Sequence, residues 1–221
     1  MNEPLLRQHL VPNLFEPSDY FELDVRGGVM RNRFGAKCCS LSGHFLRGLY
    51  IALQHEAGPA WRAILKSCGE SWGAKYAQRF VRETGQFYSQ SLDEMPMARF
   101  DALLRENFAT HGWGRLAPDY SRLNAGVIVV EVANPVLTEA LGIAEPRVEV
   151  LLEGVLKALY SEVTGQPLEC VETAAAAQGA PASLFLLAHK DRMKDAARMA
   201  DDGKPHADIL AHVLAVKPAA A

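Results

Sequence analysis

Cys38 and Cys39 stand side by side, followed by Ser40, Ser42 and His44. A thiol becomes a nucleophile when an imidazole within hydrogen-bond reach lowers its pKa. The pair, with His44 or His111, is therefore a candidate reactive centre. Closeness in sequence does not establish that contact, and free cysteine is among the most buried residue types. The reading adopted is two small buried side chains entering a helix. His44, His55 and His111 are candidate metal or haem ligands by type. No His-x-x-His or His-Glu-x-x-His spacing joins them, and His55-Glu56 is an isolated pair. His111 differs in sitting at the end of a helical pattern beside Trp113. Glu145, Glu149 and Glu153 recur every four residues, which reads as a solvated helix face.

Trp61, Leu65, Cys68, Trp72, Tyr76 and Phe80 form a stripe at spacings of three or four. Together with Phe100, Phe108 and Trp113 they either fill a core or line an apolar pocket. Trp72, Tyr76, Phe108, His111 and Trp113 are the candidate ligand-binding residues. No catalytic residue and no metal ligand is assigned.

The elements that must position these residues follow from periodicity. Phe21, Leu23 and Val25 alternate before Gly27-Gly28, which predicts a β-hairpin. Phe45, Leu49 and Leu53, with Leu46 and Tyr50 beside them, predict a helix. After Gly58-Pro59 the aromatic stripe predicts a second, longer helix. Gly69 and Gly73 lie inside it at a cost of about 1 kcal/mol each against alanine, which suits a close approach by another backbone or a ligand. Pro96 opens a third helix bearing Phe100, Leu103, Leu104 and Phe108. His111-Gly112-Trp113-Gly114 ends it and starts a strand. Ala125–Val132 reads as a strand, Glu149–Val163 as a helix, and Leu168–Thr173 and Ser183–Ala188 as a hairpin around a loop. Segregated helices with an antiparallel sheet make an α+β fold, a sheet packed on a helical layer. Residues 1–19 read as an extension, 20–188 as the domain, and 189–221 as a polar helical appendage.

Composition bounds the function. Hydrophobic residues make up 49% of the 221 positions, enough to build a core without disulfides. There are 23 Lys and Arg against 26 Asp and Glu, a net charge of −3. This disfavours a dedicated nucleic-acid binder, which carries a basic surplus. No run reaches the ~18 apolar residues of a membrane span, and no signal-peptide core precedes Leu14. The four cysteines, Cys38, Cys39, Cys68 and Cys170, make no Cys-x-x-Cys. A reducing cytoplasmic setting is expected. No dinucleotide or phosphate-loop motif is present, so the chain reads as non-catalytic, with an enzymatic role not favoured and no cofactor indicated.

Several segments in order resemble the 4-vinyl reductase domain family, related in fold to vesicle-tethering complex subunits. They are the amino-terminal hairpin, Leu65-Lys66-Ser67-Cys68-Gly69-Glu70-Ser71-Trp72-Gly73, His111-Gly112-Trp113-Gly114-Arg115, Val127–Pro135, Leu152-Glu153-Gly154-Val155, and the stretch from Glu172 to Phe185. The resemblance covers Tyr20–Ala188. It implies a binding or carrier module for hydrophobic, aromatic or tetrapyrrole-like compounds that pairs through its helices as a homodimer or higher homo-oligomer. Family members carry two cysteines, thought to hold a metal in some, where this chain has Ala175 and Ser183. Alanine cannot ligate and serine ligates zinc poorly, so the resemblance implies no metal here. Phe100–Gly114 and Leu152–Gly165 also resemble the accessory D subunit of bacterial cellulose synthase. That resemblance implies the alternative, an oligomeric structural protein of exopolysaccharide synthesis. A tetrapyrrole-pathway accessory protein is a further alternative.

Overall fold

The computed structural model describes residues 13–142 and 146–216. A short helix, α1 (Pro17–Tyr20), leads into a three-stranded antiparallel sheet of β1 (Phe21–Asp24), β2 (Val29–Asn32) and β3 (Lys37–Cys38), in the order β1-β2-β3. Three helices follow: α2 (Gly43–Ala57), α3 (Trp61–Tyr88) and α4 (Met97–Thr110). The second sheet is built from β4 (Arg115–Asp119), β5 (Val127–Ala133), β6 (Leu168–Ala174) and β7 (Ser183–His189). Its order is β4-β5-β7-β6, with every pair antiparallel. Between β5 and β6 run α5 (Val136–Leu141) and α6 (Val150–Thr164); α7 (Ala196–Asp201) and α8 (His206–Ala215) close the chain. The α+β class expected from the sequence is the one observed. Among the described residues no helix is long and apolar enough to cross a membrane.

Period-two alternation gives the second sheet two apolar faces. Ile128, Val130, Val132, Cys170, Phe185 and Leu187 meet α3, α4 and α6 in the main core. Val127, Val171, Leu186 and Ala188 face the other way, onto Met193, Ala196, Ile209 and Val213. Residues 189–216 therefore cover the outer face of the sheet. Ile209 and Val213 are fully buried there, each worth about 1.5–3 kcal/mol. Leu14 and Phe15 are likewise fully buried in the main core.

The glycines of the long helix have a packing cause. A methyl group on Gly73 would come within 2.8 Å of the Val155 Cα and carbonyl oxygen. One on Gly69 would collide with the Leu151 carbonyl, and one on Gly154 with that of Lys66. Here α3 and α6 meet backbone to backbone, so the close approach is by another helix, not by a ligand.

The helix expected from Phe45, Leu49 and Leu53 is α2; it leaves Phe45 and Leu49 exposed and turns Leu46, Tyr50 and Leu53 toward the core. Two apolar rows run along that helix, and periodicity alone does not say which one meets the core. Three expectations are corrected. Cys68 is exposed on α3. Cys38 and Cys39 do not enter a helix; Cys38 belongs to β3 and Cys39 is exposed. Glu149 and Glu153 are not solvated: both are fully buried, because the turn before α6 folds them beneath the β6–β7 hairpin. Glu145 lies outside the described residues.

Candidate functional site

A cleft of ≈620 Å³ opens between the small sheet and the helices. Its walls come from β1 (Phe21), β2 (Met30), β3 and the strand exit (Lys37–Leu41), α2 (Leu46), α3 (Trp72, Arg79), α5 (Val136), and the end of α4 with its exit, Thr110–Trp113. Of the sequence candidates, Trp72, His111 and Trp113 line it. Tyr76 and Phe108 stand behind these, buried in the main core.

The local sequence explains the end of α4. His111 caps the helix, and Gly112 takes φ +72°, a conformation that glycine adopts without a Cβ penalty. The Gly112 amide donates to the Ala109 carbonyl (3.0 Å) and the Trp113 amide to that of Phe108 (3.1 Å). This pair of bonds is a Schellman closure, and it sets His111 and Trp113 on either side of a tight turn. Trp113 then lies 4.8 Å from Trp72, centroid to centroid, and Trp72 5.4 Å from Tyr76.

His111 is held from several sides. The rings of Tyr20, Phe21 and Tyr76 meet its ring edge to face at 5.3, 5.5 and 6.3 Å. Its Nδ1 lies 2.8 Å from the Asn107 carbonyl. A carbonyl only accepts, so Nδ1 carries the proton and Nε2 presents a lone pair. Burial pushes the ring pKa below its ordinary value, and the nearby Arg79 cation adds to this despite the Asn107 bond. The imidazole is neutral at pH 7. Its Nε2 is buried and has no hydrogen-bond partner among the described residues.

A polar network fastens the small sheet to this wall. Glu83, buried on α3, accepts from the Tyr20 hydroxyl (3.2 Å) and from Asn32 Nδ2 (3.0 Å). Asn32 Oδ1 accepts from the amides of Phe34 (3.1 Å) and Ala36 (2.9 Å), which shapes the β2–β3 turn. The Tyr76 hydroxyl donates to the Asn107 side chain. Arg79 lies 3.9 Å from Glu83 and over the Tyr76 ring.

The cysteine candidates do line the cleft, but their contacts are those of bystanders. The Cys38 thiol donates to the Ala36 carbonyl at 3.5 Å, while the His111 ring is committed to Asn107. His44 and His55 are exposed away from the cleft, and His55 faces Glu56 at 3.0 Å.

The β6–β7 hairpin holds a second buried polar centre. Glu153 is gripped by Arg147 through two bonds (2.9 and 3.0 Å) and by Lys66 (3.1 Å), and it also accepts from the Glu172 amide. Glu172 accepts from the Glu149 amide (2.9 Å), and Glu149 from that of Thr138 (2.6 Å). The Thr138 side chain also bonds Glu149, and the Ser183 side chain Glu172. Burial pushes Glu149 up to about 7 and Glu172 up to about 8, the latter helped by the negative charge of Glu149. A metal fits poorly here. Ala175 offers no donor, and the Ser183 hydroxyl already accepts from the Ala176 amide (3.1 Å). Among the described residues no three His, Cys, Asp or Glu side chains converge on a metal geometry.

Lys37, Arg79, Leu41 and Leu46 are cleft residues that sequence reasoning missed. Leu46 was legible as an apolar helical position; the two cations carried no pattern.

One solved structure shares this fold, and two others overlap it in part. The phenol-responsive sensory domain of the transcription activator PoxR, in a structure with phenol, matches 88% of this chain and 94% of its own at 16% identity and a TM-score of 0.66. The two share a fold. A trafficking protein particle complex subunit 3 from Naegleria fowleri, covalently bound to palmitic acid, overlaps 67% of this chain and 95% of its own (13% identity, TM-score 0.46). A vinyl-4-reductase family protein from Methanocaldococcus jannaschii overlaps 68% and 82% (14% identity, TM-score 0.44). These two belong to the groups that the sequence resembles. No family model matches the chain, and no curated protein matches it.

Proposed function

We propose that this chain is a non-catalytic binding domain for small aromatic compounds that carry a hydroxyl group. The observation that carries the reading is the neutral His111 beside the cleft, with Nδ1 committed to Asn107 and Nε2 left without a partner. A phenolic O–H would supply Nε2 with the donor it lacks among the described residues, a bond worth about 0.5–1.5 kcal/mol net against water. Trp72 and Trp113 offer the ring of such a ligand two aromatic faces. The volume falls in the range of small-molecule pockets, about 300–1,000 Å³. The fold shared with a phenol-responsive sensory domain agrees with this class of ligand. Titration calorimetry of the full chain with phenol and with alkylphenols tests the reading. Saturable binding at one site per chain is expected, and an absence of heat across the series would overturn it.

Self-association in a cytoplasmic setting is the second part of the reading. Phe45 and Leu49 are exposed one turn apart on α2, with Leu41 exposed just before it. An apolar row of this kind suits contact with another copy. Light scattering at micromolar concentration should show a dimer or larger species, and Phe45→Glu should return it to monomer. A monomeric wild-type chain would remove this part and the structural-accessory alternative with it.

A further inference from the structure

We infer that the aromatic ligand of the cleft also carries an acid group, making it a hydroxyaryl carboxylate rather than a neutral phenol. The inference rests on the reading of the cleft as an aromatic-ligand site and deepens it. Two cations, Lys37 and Arg79, line the cleft, and no aspartate or glutamate does. Lys37 is exposed on β3 and has no ion-pair partner among the described residues. The nearest carboxylate to Arg79 is Glu83 at 3.9 Å. That carboxylate is buried and already accepts from Tyr20 and Asn32. Lys37 is therefore unbalanced, and Arg79 only partly balanced.

The chemistry of the lining is thus divided. Trp72, Trp113 and Phe21 suit a ring, the neutral His111 suits a hydroxyl donor, and the two cations suit an anion. A neutral phenol uses the first two features and leaves the third idle. An aromatic acid with a ring hydroxyl uses all three. Arg pairs with carboxylates through a planar fork, whereas Lys acts as a point charge. The cleft is open to water, so the attraction is screened, with a Debye length of about 10 Å at 0.1 M salt. Affinity for an acid should therefore depend on ionic strength, and affinity for phenol should not.

The test is calorimetric titration of the full chain with 4-hydroxybenzoate, benzoate and phenol, at low salt and at about 0.3 M salt. The expected result is 4-hydroxybenzoate binding about tenfold more tightly than phenol at low salt, with the gap closing as salt rises. Lys37→Gln and Arg79→Gln should each weaken the acid several-fold more than phenol, and Arg79→Lys should restore part of the loss. Thermal melts of each variant check folding. If Arg79→Gln fails to fold, Lys37→Gln, on an exposed strand, decides alone. Phenol binding as tightly as the acid, a salt-independent ratio, or variants that weaken both ligands alike would overturn the acid group and leave the aromatic site standing. If none of the three probes binds, the aromatic site itself fails and this inference falls with it.

Discussion

His111 and the Glu149–Glu172 pair pose the same physical problem and meet it in different surroundings. Each is a buried titratable group whose neighbours satisfy it only in part. His111 lines a cleft of ≈620 Å³ with aromatic and cationic walls. Glu149 and Glu172 are enclosed by the turn before α6 and the β6–β7 hairpin, and their bonds come from backbone amides. The wide aromatic cleft beside His111 has room for a ligand ring. Glu172 borders only a smaller cavity of ≈210 Å³, and burial favours a proton on Glu149 and Glu172, pushing both carboxyl pKa values upward. The two centres should therefore answer to pH with opposite sign.

The largest expected effect lies on the carboxylate side. Glu153→Ala would leave Arg147 with only the more exposed Asp201 (2.9 Å) and Lys66 with only Glu169 (2.7 Å), and would strip both of their shared buried carboxylate. A loss of about 3–5 kcal/mol in unfolding free energy is expected, measured by urea denaturation. A loss below about 1 kcal/mol would mean that Asp201 and Glu169 compensate both cations, and the contrast with the cleft would dissolve.

Next in size is the pH dependence. Glu172 has a folded pKa of about 8 against 4.5 for the free side chain. Between those values the folded state holds more protons than the unfolded one, so stability falls as pH rises through this window. Chemical denaturation at pH 5.5 and 8.5 (round values about either side of neutrality) should show a drop on the order of 1–3 kcal/mol. Glu172→Gln should shrink it, because a neutral amide carries no ionisation cost, and should leave the part that Glu149, pushed up to about 7, contributes.

On the cleft side, His111→Phe should weaken binding of a hydroxylated ring about tenfold while costing little stability, since it removes an acceptor that lacks a protein donor. Wild-type binding should also weaken on acidification. The His111 pKa is depressed, so binding holds near neutrality and declines once pH falls below the folded value, where protonated Nε2 no longer accepts. A flat profile down to pH 4 (about two units below an ordinary histidine) would separate His111 from the ligand.

The smallest effect concerns Lys37. Being exposed and unpaired, Lys37→Gln should change stability by less than about 0.5 kcal/mol, so that any change in acid binding reads as a ligand contact.

Much of the fold was legible because it repeats. The apolar stripe Phe100, Leu103, Leu104 and Phe108 became the buried face of α4, and Val127 through Val130 split between two sheet faces as their alternation required. The motif His111-Gly112-Trp113 was legible as a helix stop, since Gly112 permits the left-handed turn. What the stop was for was not legible, because the ring it presents is enclosed by Tyr20 and Phe21 from a distant hairpin. Phe45, Leu49 and Leu53 mark α2 as a helix, but a period shared with the row of Leu46 and Tyr50 does not say that Phe45 and Leu49 face outward. Glu149 and Glu153 were assigned to water because acidic spacing carries no mark of the Arg147 and Lys66 that bury with Glu153.

Residue order along the chain was thus enough to specify α2, α3, α4 and α6, both hairpins, the α+β class and the aromatic stripe of α3; α1, α5 and β3 were not read from it. Those features depend on interactions a few residues apart, where spacing is itself the cause. The cleft and the buried carboxylates depend on groups that come from separate elements: Lys37 and Arg79, Glu153 and Arg147 with Lys66, Glu149 and Glu172. Their charge states follow from desolvation and from the sign of the nearest charge, and both exist only once α3, α6 and the two sheets have packed.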